Sequence, residues 1–420
     1  MLSEKSATVV RATLPVLADT IDRITPVFYG KMFAASPGLL RDLFNRGNQA
    51  NHTQARALGR SIVAFAAMLT GGLTGDPGQG PEELLSRIAH KHVSLGVTPD
   101  QYTIVHRHLF DAIAEMLGDA VTGEVAAAWD EVYWLMAGAL IAQESALYTR
   151  AGITGGEVWR PWRVTARIEE TPDVATFTLR SAGDGAPLPF RPGQYVSVRV
   201  ELPDGARQIR HYSLSCAPGG DELRISVKRV EGTPDGEVSN HLHAEVREGD
   251  VLDVSVPCGE VVLHDEDSPV LLASAGIGCT PMISMLAHLA ATGTTRPVTV
   301  VHADRSQRTH PLRAELGLLT ARIPQAVTHI WYEYPERPWP AERTGLADLS
   351  GIDLLDGTRA YLCGPVPFMR AAREQLLRRG VPGSRVHYEV FGPDLGLGDE
   401  ARAPEAARPR TAAGRHRDDR

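Results

Sequence analysis

AGITGGEVWRPW (residues 151–162) is where this chain changes character. Gly152, Gly155 and Gly156 mark a linker, and the hydrophobic pattern differs on its two sides. Before it, apolar residues recur at helical spacing. Ser3 is placed to cap a first helix reaching about Asp19, and a second apolar-periodic stretch holds Val27, Phe28, Tyr29, Met32 and Phe33. Helical patterns follow over residues 51–69, 81–92, 99–117 and 124–149, interrupted by the Gly- and Pro-rich loop GGLTGDPGQGP (71–81). No long stretch alternates with period two, so residues 1–150 are expected to form an all-α domain.

After the linker come short alternating segments: TARIEE, ATFTLRS, QYVSVRVEL, IRHYSLS, ELRISVKRV and VLDVSV, separated by turn signals such as GDG, PDG and REGD. Regular short strands of this kind predict a small antiparallel barrel or sandwich over residues 151–265, and an antiparallel β-barrel is the expected form. From Pro269 the pattern alternates again. VLLASAG, PVTVVHA, VTHIWY and RAYLCGP are continuous apolar strands, with helical stretches such as PMISMLAHLAAT and PFMRAAREQLLRRG between them. That predicts an α/β domain with a parallel sheet buried on both faces, over residues 266–393. Residues 394–420 have almost no bulky apolar side chains and are expected to be a disordered tail.

Three domains suit 420 residues. A net charge of −8 argues against a general nucleic-acid binder. Cys216, Cys258, Cys279 and Cys363 are scattered, without metal-finger spacing, and read as reduced thiols. The N-terminal segment lacks the layout of a signal peptide, and no run of about 20 apolar residues stands out as a membrane span. A cytoplasmic monomer acting on small molecules is expected, with no integral membrane contact.

In the helical half, Leu85, Ile88 and His92 fall at i, i+3 and i+7, so His92 points inward. Alone it reads as a core histidine satisfied by a hydrogen bond. Its neighbours change that reading. Gln54 shares an inward stripe with Leu58, Ser61 and Ile62, and Glu144 shares one with Leu140 and Leu147. A buried carboxylate needs a strong partner, and Tyr102 can supply a hydroxyl. A buried His–Tyr–Glu network is what a metal-binding imidazole uses to fix its tautomer and raise its basicity.

VFYGKMF (27–33), LFNRGNQ (43–49), Gln54 with Leu58, and IAHKHVSLGVTPDQY (88–102) resemble the globin domain of flavohaemoglobins across essentially the whole helical half. The resemblance implies haem b ligated by His92, with Phe44 against the haem edge and Tyr29 and Gln54 on the oxygen-binding side. Leu58 would crowd the ligand. Tyr102 and Glu144 would support the proximal histidine, and Lys91 would lie near haem and flavin. A hydrogen bond from Tyr29 or Gln54 to a partly anionic ligand is worth about 1.5–3 kcal/mol. His90, His106 and His108 read as ordinary helix residues.

In the second half, Arg210, His211, Tyr212 and Ser213 form an Arg-x-Tyr-Ser signature after a strand, with RPGQYVSV (191–198) upstream. A guanidinium suits a pyrophosphate, an aromatic ring suits the isoalloxazine, and a hydroxyl suits the ring's reactive nitrogen. The resemblance here is to ferredoxin reductase-like modules, and it implies FAD, with Tyr195 in contact. GEVSNHL (236–242) is a turn entering a short helix. It resembles the second flavin-phosphate segment, through Gly236, Val238 and Ser239.

ASAGIGCTPMISML (273–286) is a strand, a Gly-rich turn and a helix. Gly276 and Gly278 let backbone approach a pyrophosphate, and Thr280 and Pro281 open the helix. The resemblance implies NADH or NADPH here, with Cys363, Gly364 and Pro365 beside the nicotinamide. It puts Glu389 near flavin and haem, and Phe391, followed by Gly392, over the flavin ring. HADRSQR (302–308) offers an acid and arginines near the expected ribose, which leaves the NADH or NADPH preference open.

By resemblance the activity is nitric oxide dioxygenation, from nitric oxide, dioxygen and NAD(P)H. The alternatives are a flavin, quinone or ferric reductase carrying an oxygen-binding or sensing globin, a non-enzymatic oxygen store or sensor, and an interaction module.

Overall fold

The computed structural model describes residues 2–50, 53–71, 81–154, 156–183, 189–232 and 234–390. The helical half consists of α1 (Glu4–Ala35), α2 (Pro37–Asp42), α3 (Arg46–Ala50), α4 (Thr53–Leu69), α5 (Pro81–Leu95), α6 (Pro99–Leu117) and α7 (Gly123–Arg150). The Ser3 hydroxyl caps α1 by accepting from Ser6 N at 3.2 Å. The two helical stretches expected in this region are one helix, running through Pro15 and Pro26. Each proline removes an N–H and costs about 3 kcal/mol in a helix interior. One continuous buried stripe (Val10, Leu17, Ile21, Ile24, Phe28, Met32) offsets that cost by packing on α4, α6 and α7. Of the expected loop over 71–81, residues 72–80 lie outside the described residues.

Against the expectation of no membrane-length apolar run, α7 is long and apolar enough to cross a membrane by length and composition. Here it is a core helix, burying Trp129, Val132, Ala137 and Leu140 in the helical cluster.

The barrel contains β1 (Arg160–Thr171), β2 (Val174–Ser181), β3 (Tyr195–Glu201), β4 (Arg207–Ser213), β5 (Glu222–Lys228) and β6 (Val251–Val254), with α8 (Glu237–Ala244) packed at its base. The antiparallel order is β4-β3-β6-β1-β2-β5, and a bridge from Leu214 to Ile225 brings the two ends together. The third unit is a parallel sheet in the order β11-β10-β7-β8-β9. Its strands are β7 (Val270–Ala275), β8 (Val298–Asp304), β9 (Ala326–Tyr332), β10 (Arg359–Cys363) and β11 (Val386–Glu389). Its helices are α9 (Cys279–Thr292), α10 (Arg313–Ala321) and α11 (Val366–Arg378). All six residues of β7 are buried, as its unbroken apolar sequence predicts for a strand covered on both faces. The tail expected from residue 394 lies outside the described residues.

Candidate active site

A cavity of about 1570 Å³ runs from the helical core, past β4, to the turn that opens α9. Its inner walls are apolar, from residues such as Phe28, Leu58, Val105 and Leu140, and His92 of α5 stands among them. His92 Nδ1 lies 2.7 Å from Glu144 Oε1 and 3.0 Å from the Tyr102 hydroxyl, which itself donates to Glu144 Oε1 at 2.5 Å. Glu144, on α7, is 2% exposed, so its carboxylate depends on these donors rather than on water. Burial, and then the Glu144 charge, push the Tyr102 phenol up, so it remains a donor. A carboxylate can only accept from Nδ1–H, which leaves the Nε2 lone pair as the ligand atom.

Across the cavity, Tyr29 is buried, with its ring centroid 5.8 Å from that of Phe44 and 5.5 Å from that of Phe33. Burial pushes its phenol up, while a hydrogen bond with Gln49 acts the other way. Gln49 also donates to Gln54 Oε1 at 3.1 Å. Gln49 therefore joins the two expected distal groups, Tyr29 and Gln54. Phe44 and Leu58 line the same space. Among the described residues, no group of three or more His, Cys, Asp or Glu could hold a bare metal ion. One imidazole of fixed tautomer in an apolar cavity instead suits a metal that brings its other ligands with it, as haem does.

The outer part of the cavity is lined by Tyr195, Arg210, His211, Tyr212 and Ser213. β3 and β4 pair with Tyr195 opposite Ser213 and Ser197 opposite His211. The Ser213 hydroxyl is buried without a hydrogen-bond partner among the described residues, as suits a group aimed at a ligand. His211 bonds Ser197 Oγ at 2.8 Å. Burial, then the nearby Lys91 and Arg210 charges, push its pKa down to about 3. Lys91, on the His92 helix, thus bears on β4 and lines the cavity too.

Gly236 caps α8. A Cβ there would meet Ser239 Oγ at 2.6 Å, so the turn has no room for a side chain. At the two other expected flavin-phosphate positions, the side chains face inward or bond locally. The Val238 side chain is fully buried in the barrel core, which leaves only its backbone for a ligand. The Ser239 hydroxyl lines the cavity but is engaged locally, donating to Gly236 O and accepting from Val230 N.

Gly276, at φ +54°, starts the turn before α9, and Thr280 lines the cavity. The close approach that Gly278 permits here is to β10, since a Cβ would meet the Cys363 carbonyl and lie 2.7 Å from Gly364 Cα. A Cβ on Gly364 would in turn lie 3.0 Å from Ala275 N. The two expected nucleotide segments are therefore packed backbone to backbone. Pro281 is buried within α9, Pro365 caps α11, and Cys363 is buried with Sγ 3.7 Å from Glu389 O. Cys279 is buried, with Sγ 3.8 Å from Pro311 O. Glu389 lines the cavity, whereas Phe391 and Gly392 lie outside the described residues. In the 302–308 segment Asp304 turns inward, accepting from Thr309 Oγ1 at 2.6 Å, while Arg305 and Arg308 stand exposed beside Asp173 and Glu336.

Several residues at the seam between the domains had no role assigned from sequence. Gln208, buried on β4, donates to the carbonyls of Arg41 and Phe44 and accepts from Arg46 N. Arg87 pairs with Glu260 at 2.7 Å and covers the Tyr388 ring at 4.4 Å. His90, read as an ordinary helix residue, accepts from Gly259 N at 3.1 Å. Burial pushes the His90 pKa down to about 4, which keeps Nδ1 an acceptor.

A globin model matches residues 27–140, an oxidoreductase FAD-binding domain residues 161–263 and an oxidoreductase NAD-binding domain residues 272–374. A flavohaemoprotein of Chromobacterium violaceum is 42% identical over 94% of this chain and all of its own length. The crystal structure of the Malassezia yamatoensis flavohaemoglobin, solved with FAD and haem bound, matches at a TM-score of 0.83. It is 37% identical over 93% of this chain and all of that one. The FAD/NAD-binding domain of a Vibrio cholerae nitric oxide dioxygenase matches 56% of this chain and all of its own, at 37% identity and a TM-score of 0.52.

Proposed function

The chain belongs to the flavohaemoprotein family, and from that premise we propose that it is a nitric oxide dioxygenase, using NAD(P)H and dioxygen to convert nitric oxide to nitrate. It is an oxidoreductase, with haem, FAD and a nicotinamide dinucleotide as its cofactors. When bound, these groups supply hydride donation, the division of an electron pair into single electrons, and oxygen chemistry at iron.

The observation that carries the reading is the His92–Tyr102–Glu144 network, in a cavity shared with the flavin-side strand β4. Glu144 and Tyr102 hold the imidazole in the tautomer that presents Nε2, and the buried charge makes that nitrogen a stronger donor. Such a push favours oxygen activation over carriage. Tyr29 and Gln54, held together by Gln49, offer hydrogen-bond donors to a small polar ligand, and Leu58 and Phe44 exclude water around it. Arg210 holds pyrophosphate, with Gly236 and the backbone at Val238 and Ser239 beside it. Tyr195, His211, Tyr212 and Ser213 orient the flavin ring, with Lys91 and Glu389 between ring and haem. Gly276, Gly278, Thr280 and Pro281 receive the dinucleotide, with Cys363, Gly364 and Pro365 at its reactive end. The relative named a nitric oxide dioxygenase supports the same assignment. In this proposal the protein works as a cytoplasmic monomer.

Nitrate formation from one nitric oxide and one dioxygen takes one electron, and NAD(P)H supplies two. The purified holoprotein should therefore consume half a mole of NAD(P)H per mole of nitric oxide and leave nitrate. Tyr29→Phe should slow that reaction while sparing NAD(P)H-driven ferricyanide reduction. Sustained NAD(P)H oxidation with no nitrate would instead identify a reductase for other acceptors.

A further inference from the structure

Arg46 opens α3 in the helical domain, two residues after Phe44, yet its guanidinium sits on the barrel domain. Nη1 lies 2.6 Å from Asp204 Oδ2, Nη2 lies 2.7 Å from Glu237 Oε1, and Nε reaches Glu237 Oε2 at 3.4 Å. Glu237 is the first residue of α8, in the segment proposed above to receive the flavin phosphates. Arg210, the pyrophosphate-binding arginine, reaches the same carboxylate more loosely, at 3.8 Å. Arg46, Arg210, Gly236, Glu237 and Ser239 all line the one cavity.

A carboxylate at this point is a problem for a flavin site. It repels a pyrophosphate, and it competes with that pyrophosphate for Arg210. Two-point pairing with Arg46 addresses both effects. Although Asp204 shares that guanidinium, the pairing offsets part of the Glu237 charge and turns the carboxylate toward the helical domain, which leaves Arg210 Nη2 its weakest contact. Gln208 fixes the register of the device, since its side-chain oxygen accepts both from Arg46 N at 3.3 Å and from Arg210 Nη1 at 3.4 Å.

We propose that Arg46 of the globin domain is a positioning residue of the flavin site, masking Glu237 so that Arg210 can bind the FAD pyrophosphate. FAD affinity then depends on the docked globin, although the globin itself need not touch the flavin. The proposal rests on FAD lying at Arg210.

The test is the FAD dissociation constant of the full-length haem-loaded protein, from recovery of flavin fluorescence on release, for wild type, Arg46→Gln, Glu237→Gln, the double variant and Arg210→Ala. Haem content and the Soret band serve as the check on folding. Partly exposed ion pairs of this kind are worth up to about 1 kcal/mol, so Arg46→Gln should raise the constant about fivefold. Glu237→Gln should bind at least as tightly as wild type, and the double variant should return to within about twofold of it. An Arg46→Gln constant within about twofold of wild type, or a double variant as weak as Arg46→Gln alone, overturns the proposal. Unchanged binding in Arg210→Ala would place the failure earlier, in the location of the flavin itself.

Discussion

Glu144→Gln keeps the shape of the side chain that His92 meets and removes its charge. In the wild type, Glu144 Oε1 accepts from His92 at 2.7 Å and from Tyr102 at 2.5 Å, with the carboxylate 2% exposed. Hydrogen bonds to a charged group are worth about 1.5–3 kcal/mol, against about 0.5–1.5 kcal/mol for neutral pairs. Two bonds that lose charge assistance therefore weaken by about 2–3 kcal/mol together. If most of that is felt as basicity of His92 Nε2, turnover falls by about 10–100-fold. The assay is nitric oxide consumption with NADH at saturating dioxygen, beside ferricyanide reduction as a measure of the reductase alone. The iron–imidazole stretching band should shift to lower frequency, and ferricyanide reduction should not change. A haem-loaded Glu144→Gln protein that consumes nitric oxide within about twofold of wild type would refute the argument that the buried charge drives the imidazole.

Gln208→Leu leaves the Arg41 and Phe44 carbonyls without their buried donor, at a cost of about 1–3 kcal/mol at the domain seam. Stopped-flow spectra should show haem reduction lagging flavin reduction more than in wild type, and an unchanged lag would contradict this role. Gly278→Ala forces a Cβ against the Cys363 carbonyl and Gly364, so melting temperature and NADH affinity should both fall, and loss of neither would show that the turn has slack. The His90 pKa is depressed to about 4 from an ordinary value near 6.5. The unfolded chain therefore takes up the proton first, and the stability His90 contributes is complete above about pH 6.5 and is lost as pH falls toward 4. His90→Asn should lose less melting temperature than wild type between pH 7 and pH 5, and equal losses would remove His90 from the seam.

The three-part fold was legible because each part has its own period: 3.6 in the helical half, 2 in the barrel, and unbroken apolar strands in the parallel sheet. The His92–Tyr102–Glu144 network was legible for a related reason. His92 and Glu144 each interrupt an apolar stripe, and a polar residue on a buried face needs a partner, which the Tyr102 hydroxyl can supply. The continuity of α1 was not readable, since the first helix was expected to end near Asp19 and only tertiary packing carries it on through Pro26. β11 is four residues long, too short to establish an alternation. Arg46, Gln208 and Glu237 were hidden for a different reason. They meet across a seam joining residues more than 150 positions apart, and each looks locally like an ordinary polar residue at a turn, strand or helix start. Gly278 reads as a phosphate-turn glycine from its motif, but its tightest neighbour, β10, becomes visible only once the sheet is assembled.

The most direct test of the central claim is anaerobic titration of the holoprotein with NADH, followed by absorbance, with dioxygen and nitric oxide then admitted to the same cuvette. Flavin should bleach, haem should become ferrous, and nitric oxide should then disappear in step with NADH to leave nitrate. Bleached flavin beside haem that stays ferric would contradict coupling between the two halves, and the chain would have to be regarded as a flavin reductase carrying a globin of separate purpose.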